Sequence, residues 1–286
     1  MIQSTPIESV KEKFEEKGFV VIDSGLDSDT IKGTLADLEP YFGAQRTHPI
    51  NVPYADAGRI QDAWYFSQHV YRIATAPEIE KALLAIYGEP AKPFQTLNFP
   101  TGTQQAVHAD SIHFNCEPFG AMCGVWTALE DIGMDQGPLI YYPGSHKLPE
   151  MNYDFFGLKA HESSYEQYLQ ELEKIIASHG YTPEYGVLKQ GQSLIWAANI
   201  LHGGSKQLDR SLTRTSQVTH YYIGEAKPWR PVHSRWRRAY FRPDWVRDTR
   251  GEKINFKPKS PFAWRQQPLQ RLWFETKQAF SAQDEP

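Results

Sequence analysis

The chain has 286 residues and a net charge of −4, with 40% hydrophobic, 22% charged and 13% aromatic residues, the composition of a water-facing globular protein rich in rings. Its two cysteines, Cys116 and Cys123, are too few for a disulfide framework or a four-thiolate zinc site, and point to a reducing, cytoplasmic setting. No stretch reaches the roughly 20 apolar residues of a membrane span, and the N-terminus lacks the apolar core of a signal peptide, so a membrane role is not expected.

Taken in order, SVKEKFEEKG sets Val10 and Phe14 at helical spacing, with Gly18 as a stop. FVVID (19–23) reads as a strand. Asp27 and its neighbours offer an N-cap to TIKGTLADLEPYF, and APEIEKALLAIYG (76–88) is a further amphipathic helix ending at Gly88. Beyond Pro90 the pattern changes. PFQTLNF, MCGVWTALED, GPLIYYPGS, GVLKQGQSLIWAAN and TRTSQVTHYYI are β-branched and aromatic runs punctuated by Gly and Pro. One helix interrupts them, SSYEQYLQELEKIIASHG (163–180), with Tyr168 and Leu172 in its apolar stripe. A last helix is expected in WRQQPLQRLWFETKQAF. Strands in series with helices mainly outside them predict a mainly β fold, a sandwich or jelly roll, rather than βαβ units. GxGxxG, P-loop and GxSxG patterns are absent, so nucleotide cradling and serine-hydrolase chemistry lack their usual signs.

HADSIHF (108–114) places two histidines and an aspartate in seven residues. On a regular strand His108 and Asp110 share a face and His113 points away. A carboxylate with imidazoles suits iron, manganese or zinc, and two histidines plus one carboxylate leave three octahedral positions open, the arrangement of non-haem Fe(II) oxygenases. In a chain with ten histidines, the HxD pair also arises without a metal. Downstream, QSLIWAANILHGGS carries His202 just past an apolar strand, and Gly203 and Gly204 keep side chains out of the turn. Arg214, twelve residues later, opens the next strand, where a guanidinium can take a carboxylate in a two-pronged pair.

HADSIHF, then VWTALEDIGMDQGPLIYYPGSHK (125–147), then LHGGS and TRTSQVTHYY resemble the phytanoyl-CoA dioxygenase family of Fe(II)/2-oxoglutarate oxygenases, over residues 10–223 and most strongly from Gln95 to Tyr222. The resemblance implies a double-stranded β-helix (jelly roll, cupin-like) with flanking helices, formed by one domain over 1–286. Its core spans about 90–223, its helical support 1–89, its insert about 148–185 and a basic aromatic extension 224–286. It implies Fe(II), 2-oxoglutarate and O2 as cofactors, His108, Asp110 and His202 as metal ligands, and Arg214 as partner of the cosubstrate's far carboxylate, with Arg210 as competitor. Trp126, Thr127 and Gln95 are further cosubstrate candidates.

The chain departs from the family at two places. Gly204 stands where a serine often helps hold the cosubstrate, so Thr127 or Thr103 is expected to substitute, and Phe99 replaces a lysine found in some members. Relatives that halogenate lack the carboxylate that Asp110 provides here, which favours hydroxylation of a small organic molecule or a related oxidation such as desaturation or ring formation. His146 is read as a turn-stabilising residue, and His113 and His220 as residues behind or beside the ligands. A non-catalytic jelly-roll binding protein with a structural metal and a zinc hydrolase remain the rival classes. Residues 225–260 carry a local charge of +7 against −11 for the rest. Arginines interleaved with Trp229, Trp236, Tyr240 and Trp245 suit an anionic or aromatic ligand, or a segment pinned by its rings. The acidic remainder argues against nucleic acid.

Overall fold

The computed structural model of the chain describes residues 2–42, 58–161 and 164–250. α1 (Ile7–Lys17) buries Val10 and Phe14 and ends where Gly18 turns left-handed at φ 82°, a conformation glycine adopts without steric cost. β1 (Phe19–Asp23) follows at once. α2 (Ser28–Leu38) starts on the expected cap, with the Asp27 carboxylate accepting from the Thr30 amide at 2.6 Å. After β2 (Ile60–Gln61) come α3 (Gln68–Ala74), too short for periodicity to show, and α4 (Pro77–Tyr87), closed by Gly88. The strands beyond are β3 (Ala91–Phe99), β4 (Asn115–Glu117), β5 (Met122–Ala128) and β6 (Leu139–Tyr141). The insert α5 (Ser164–His179) precedes β7 (Glu184–Tyr185), β8 (Gln192–Ala197), β9 (His202–Gly204), β10 (Ser216–Ile223) and β11 (Lys227–Trp229). The helix expected in the C-terminal tail lies outside the described residues.

All strand pairings are antiparallel. Six strands form one sheet in the order β1-β8-β5-β10-β3-β2, three form a second in the order β7-β6-β9, and β11 pairs with β4. Alternation decides what each face of the large sheet meets. Val20, Ile22, Val125, Ile195 and Tyr221 pack on Val10 and Phe14 of α1 and on Ile79, Leu83 and Ile86 of α4. Phe19, Val21, Trp126, Leu194, Trp196 and Val218 face inward, with Tyr141 of β6 across from them. Each fully buried side chain of this kind is worth about 1.5–3 kcal/mol, and a one-residue slip would exchange the two faces. The register is therefore held by both layers. The result is a double-stranded β-helix with its helices outside the barrel, as the strand series and the resemblance lead one to expect.

Two expectations are corrected. HADSIHF is not a strand: only His108 is paired, in an isolated bridge, and Asp110–Ile112 form a 3-10 turn. Arg214 does not open β10, which starts two residues later at Ser216. The basic extension, as far as it is described, is pinned by rings. Arg230 lies over Phe114 and Phe241, Arg238 over Trp229 and Arg247 over Trp64, while Trp236 is exposed. Among the described residues no helix is long and apolar enough to cross a membrane.

Gly124 on β5 makes room for Trp196 on β8. A Cβ there would stand 2.4 Å from the indole ring, which is 2% exposed and hemmed by the inner core. Gly124→Ala is expected to lower stability by about 1–3 kcal/mol through overpacking, measured by urea unfolding.

Candidate metal centre

The centre begins with backbone. His108 and His202 exchange two hydrogen bonds, the His108 amide donating to His202 O at 2.8 Å and the His202 amide donating to His108 O at 2.9 Å. Residues paired this way project their side chains to the same face, and the two imidazole centroids stand 4.6 Å apart. Each ring is then fixed by the carbonyl two residues before it. His108 Nδ1 donates to Ala106 O at 2.9 Å and His202 Nδ1 to Ile200 O at 3.0 Å. A carbonyl can only accept, so each Nδ1 carries the proton and each Nε2 keeps a free lone pair. The glycines after His202 permit the approach. A Cβ at Gly203 would lie 2.8 Å from Gln105 O, and one at Gly204 would lie 2.8 Å from Gln104 N. Position 204 thus has no room for the family's serine.

Asp110 enters from the 3-10 turn. Its carbonyl accepts from the amides of both His113 and Phe114 at 2.9 Å, which ties the turn to the carboxylate's own residue. Oδ1 lies 3.6 Å from Nε2 of His108 and from Nε2 of His202. Oδ2 accepts from the Trp196 indole at 2.8 Å and lies 3.4 Å from Nε2 of His220. On the far side of His220, Nδ1 meets Gln95 Oε1 at 3.0 Å, so Gln95 reaches the centre through His220. Burial opposes charge on Asp110, but the imidazoles of His202, His108 and His220 around it outweigh burial and hold the carboxyl well below its usual range. Burial conversely lowers His202 to about 4, so at neutral pH that imidazole is uncharged and free to donate its lone pair. One ligand atom from each of the three buried residues lies within 4.8 Å of the others. Donors about 2.1 Å from an ion at adjacent octahedral positions stand roughly 3 Å apart, so a small closure of this triangle around a divalent metal satisfies all three. Two neutral nitrogens and one carboxylate oxygen fit iron.

Arg214 is buried at 3% exposure and Arg210 is exposed. Arg214 Nη1 donates to Gly137 O at 3.0 Å, the guanidinium lies 5.4 Å from the Trp126 ring centroid, and Nε has no partner among the described residues. Burial brings it down only to about 10, so it stays cationic. Among the described residues no carboxylate pairs with it. Thr127 does not join this group. It faces the helical side of β5, with its hydroxyl 2.7 Å from Ser193 Oγ, and Thr103 is exposed on a loop. Thr127 therefore does not supply the expected hydroxyl. Ser216, buried and on the same face of the strand as Val218 and His220, lies next to Arg214, with Oγ donating to Arg214 O at 3.3 Å. Phe99 belongs to the inner apolar wall. His146 docks on α1, its Nε2 3.2 Å from Glu15 O, in keeping with a structural part.

Sequence reasoning misses Trp196, Gln105 and Tyr165. Gln105 Nε2 is 3.3 Å from His108 Nε2, and the Tyr165 hydroxyl of α5 is 3.2 Å from His113 Nε2. His113 returns to the centre because the 3-10 turn breaks strand alternation, and its ring lies 6.0 Å from that of His108. Trp196 carries one signal, its place in the apolar strand six residues before His202. The others have none, because loop and insert meet only in three dimensions.

A jelly roll holding two imidazoles and a carboxylate together, with a buried guanidinium just before β10, is the architecture of an Fe(II)/2-oxoglutarate-dependent oxygenase. A family model described as phytanoyl-CoA dioxygenase (PhyH) matches residues 14–214, and the chain belongs to that family. It is 24% identical over 242 residues to the peroxisomal phytanoyl-CoA dioxygenase of Rattus norvegicus, covering 75% of this chain and 68% of that protein. Its fold is similar to that of the non-heme alpha ketoglutarate dependent carbocyclase SnoK from nogalamycin biosynthesis, with a TM-score of 0.62 at 16% identity over 80% of this chain and 90% of the other. EctD from S. alaskensis, crystallised with 2-oxoglutarate and 5-hydroxyectoine, matches at 0.60 and 14% identity, over 86% and 85% of the two chains.

Trp196→Phe keeps the ring but removes the donor to Asp110. Fe(II) affinity is expected to fall by about 10–100-fold, read by anaerobic Fe(II) titration. In the metal-free protein, His202 and His113 are depressed by burial to about 4 and about 3 from 6.5. The unfolded chain takes up these protons first as pH drops below 6.5. Stability is therefore expected to be complete above that pH and to decline from there toward pH 4, seen as a falling Tm.

Proposed function

We propose that His108, Asp110 and His202 hold Fe(II), that Arg214 binds the far carboxylate of 2-oxoglutarate, and that the chain hydroxylates an unactivated C–H bond of a small organic molecule. When bound, Fe(II) with 2-oxoglutarate and O2 supplies a two-electron oxidation of such a bond, with the cosubstrate decarboxylated to succinate and CO2. The protein's own part is threefold. The carbonyls of Ala106 and Ile200 keep both Nε2 lone pairs pointed at the metal position. Trp196 and His220 hold Asp110 ionised with Oδ1 toward the histidines. Leu97, Phe99, Trp126 and Val218 line the inner wall with apolar surface, which excludes water and strengthens every polar contact within.

Arg214 carries this reading. A buried cation without a carboxylate partner costs several kcal/mol, a cost that is offset when an anion binds, and neither rival class needs an anion there. The dicarboxylate meets the need at one end with Arg214 and at the other with the metal. The organic substrate is not taken from the family's name, because a shared fold and ligand set do not choose it. We further propose a cytoplasmic location, in keeping with two buried free cysteines, and a single oxygenase domain for the chain.

Anaerobic addition of Fe(II) and 2-oxoglutarate is expected to give a visible metal-to-ligand charge-transfer band, and oxygen then to yield succinate. His108→Ala should abolish both. Loss of the buried charge-assisted pair in Arg214→Ala is expected to weaken 2-oxoglutarate binding about 100-fold, while Arg210→Ala leaves it near wild type. The reverse ranking would assign the anchor to Arg210.

A further inference from the structure

We infer that Glu130 is the positioning residue for Arg214 and, through it, for the cosubstrate's far carboxylate; the inference rests on the assignment of Arg214 proposed above. The guanidinium is held lightly. Among the described residues one hydrogen bond to Gly137 O and the face of Trp126 are its contacts, and Nε has no partner there. Where its head points therefore depends on how firmly the backbone beneath it is fixed. That backbone lies just before β10, which begins at Ser216, and two main-chain bonds hold it there, the Arg214 amide donating to Pro100 O at 2.9 Å and the Leu129 amide to Thr215 O at 3.0 Å.

Glu130 adds a side-chain restraint on both sides of Arg214. Oε2 accepts from the Thr213 hydroxyl at 2.8 Å and Oε1 from the Thr215 hydroxyl at 2.9 Å. Oε1 also accepts from the Thr215 amide. Arg214 is thus bracketed by two threonines tied to one carboxylate. Other ties reach one point each. The Arg214 amide donates to Pro100 O at 2.9 Å, and Gln136 Nε2 donates to Thr213 O at 2.8 Å. Glu130 follows β5 by two residues, so the clamp joins Arg214 to the strand that also carries Trp126 under the guanidinium. A carboxylate suits the task because its two oxygens offer about four acceptor sites to three donors. Its hydrogen bonds go to the threonines, and the guanidinium keeps its charge for a ligand.

The test uses the full chain loaded with Fe(II), titrated anaerobically with 2-oxoglutarate and followed by the charge-transfer band. Glu130→Ala is expected to raise the Kd, and the KM for 2-oxoglutarate in succinate formation, by about tenfold, since small displacements of a positioning group weaken what it orients. The rise in KM should exceed any fall in kcat. Glu130→Gln keeps an acceptor oxygen for Thr215 and should stay within about threefold of wild type. Hydrogen exchange at the Thr215 amide gives a readout independent of activity, and should quicken in Glu130→Ala. Unchanged 2-oxoglutarate affinity alongside quickened exchange would overturn the inference, because the clamp would then be open without consequence for Arg214. If Glu130→Ala does not fold, the Thr213→Ala, Thr215→Ala double variant must show the same loss of affinity, and wild-type affinity there overturns the inference equally. A wild-type chain without the band removes the cosubstrate reading and this inference together. A normal wild-type band with an unaffected Glu130→Ala removes this inference alone.

Discussion

Two backbone hydrogen bonds, exchanged between His108 and His202, are the constraint on which the rest of the centre depends. They join residues 94 positions apart in the chain and set both imidazoles on one face before any side-chain contact is made. Paired residues of this kind hold their Cβ atoms about 5 Å apart, close enough for one ion to reach both rings. The glycines at 203 and 204 let the His202 strand lie directly against residues 104–107. The carbonyls of Ala106 and Ile200 then choose the tautomer. Metal geometry in this protein is thus first a matter of strand pairing.

A second constraint is charge kept out of water. Asp110 is 6% exposed and Arg214 3%, and each would be costly alone. The structure treats them differently. Asp110 has the Trp196 indole as donor to Oδ2 and the Nε2 atoms of His108, His202 and His220 within 3.6 Å. Arg214 is given a carbonyl and a ring but no carboxylate among the described residues. One charge is satisfied by the protein and oriented for a metal. The other keeps its Nε unpartnered among the described residues. The inner wall of Leu97, Phe99, Trp126 and Val218 lies in the same barrel and keeps the effective dielectric low.

Much of the fold was legible in the chain. α1 and α4 could be read because Val10, Phe14, Ile79 and Leu83 repeat at helical spacing and Gly18 and Gly88 stop them. The strands showed as β-branched and aromatic runs between turns. α3 was not legible, since seven residues hold too few turns to display a period. HADSIHF misled for a related reason. Its alternation fits a strand, but nothing local shows that only His108 has a pairing partner, and the chain curls at Asp110 instead. Thr127 went to the opposite face of β5 from Trp126 by the alternation that placed Trp126 inside.

By itself the sequence determined the chemistry available: two histidines and a carboxylate at the right spacing, two candidate arginines after the distal histidine, and strands with enough apolar surface to close a barrel. These are properties of residue type and period, and both can be read along one dimension. The tertiary structure alone decided which atoms meet. Trp196 reaches Asp110 because Gly124 on the neighbouring strand leaves space for its ring. His113 turns back to the centre because a 3-10 turn replaces a strand. Arg214 is buried and Arg210 exposed, and Thr213 and Thr215 on either side of Arg214 are tied to Glu130 just past the end of β5. Contacts between residues about 80–100 apart in sequence depend on sheet order and register, which are set by the packing of both faces at once and leave no mark in any local pattern.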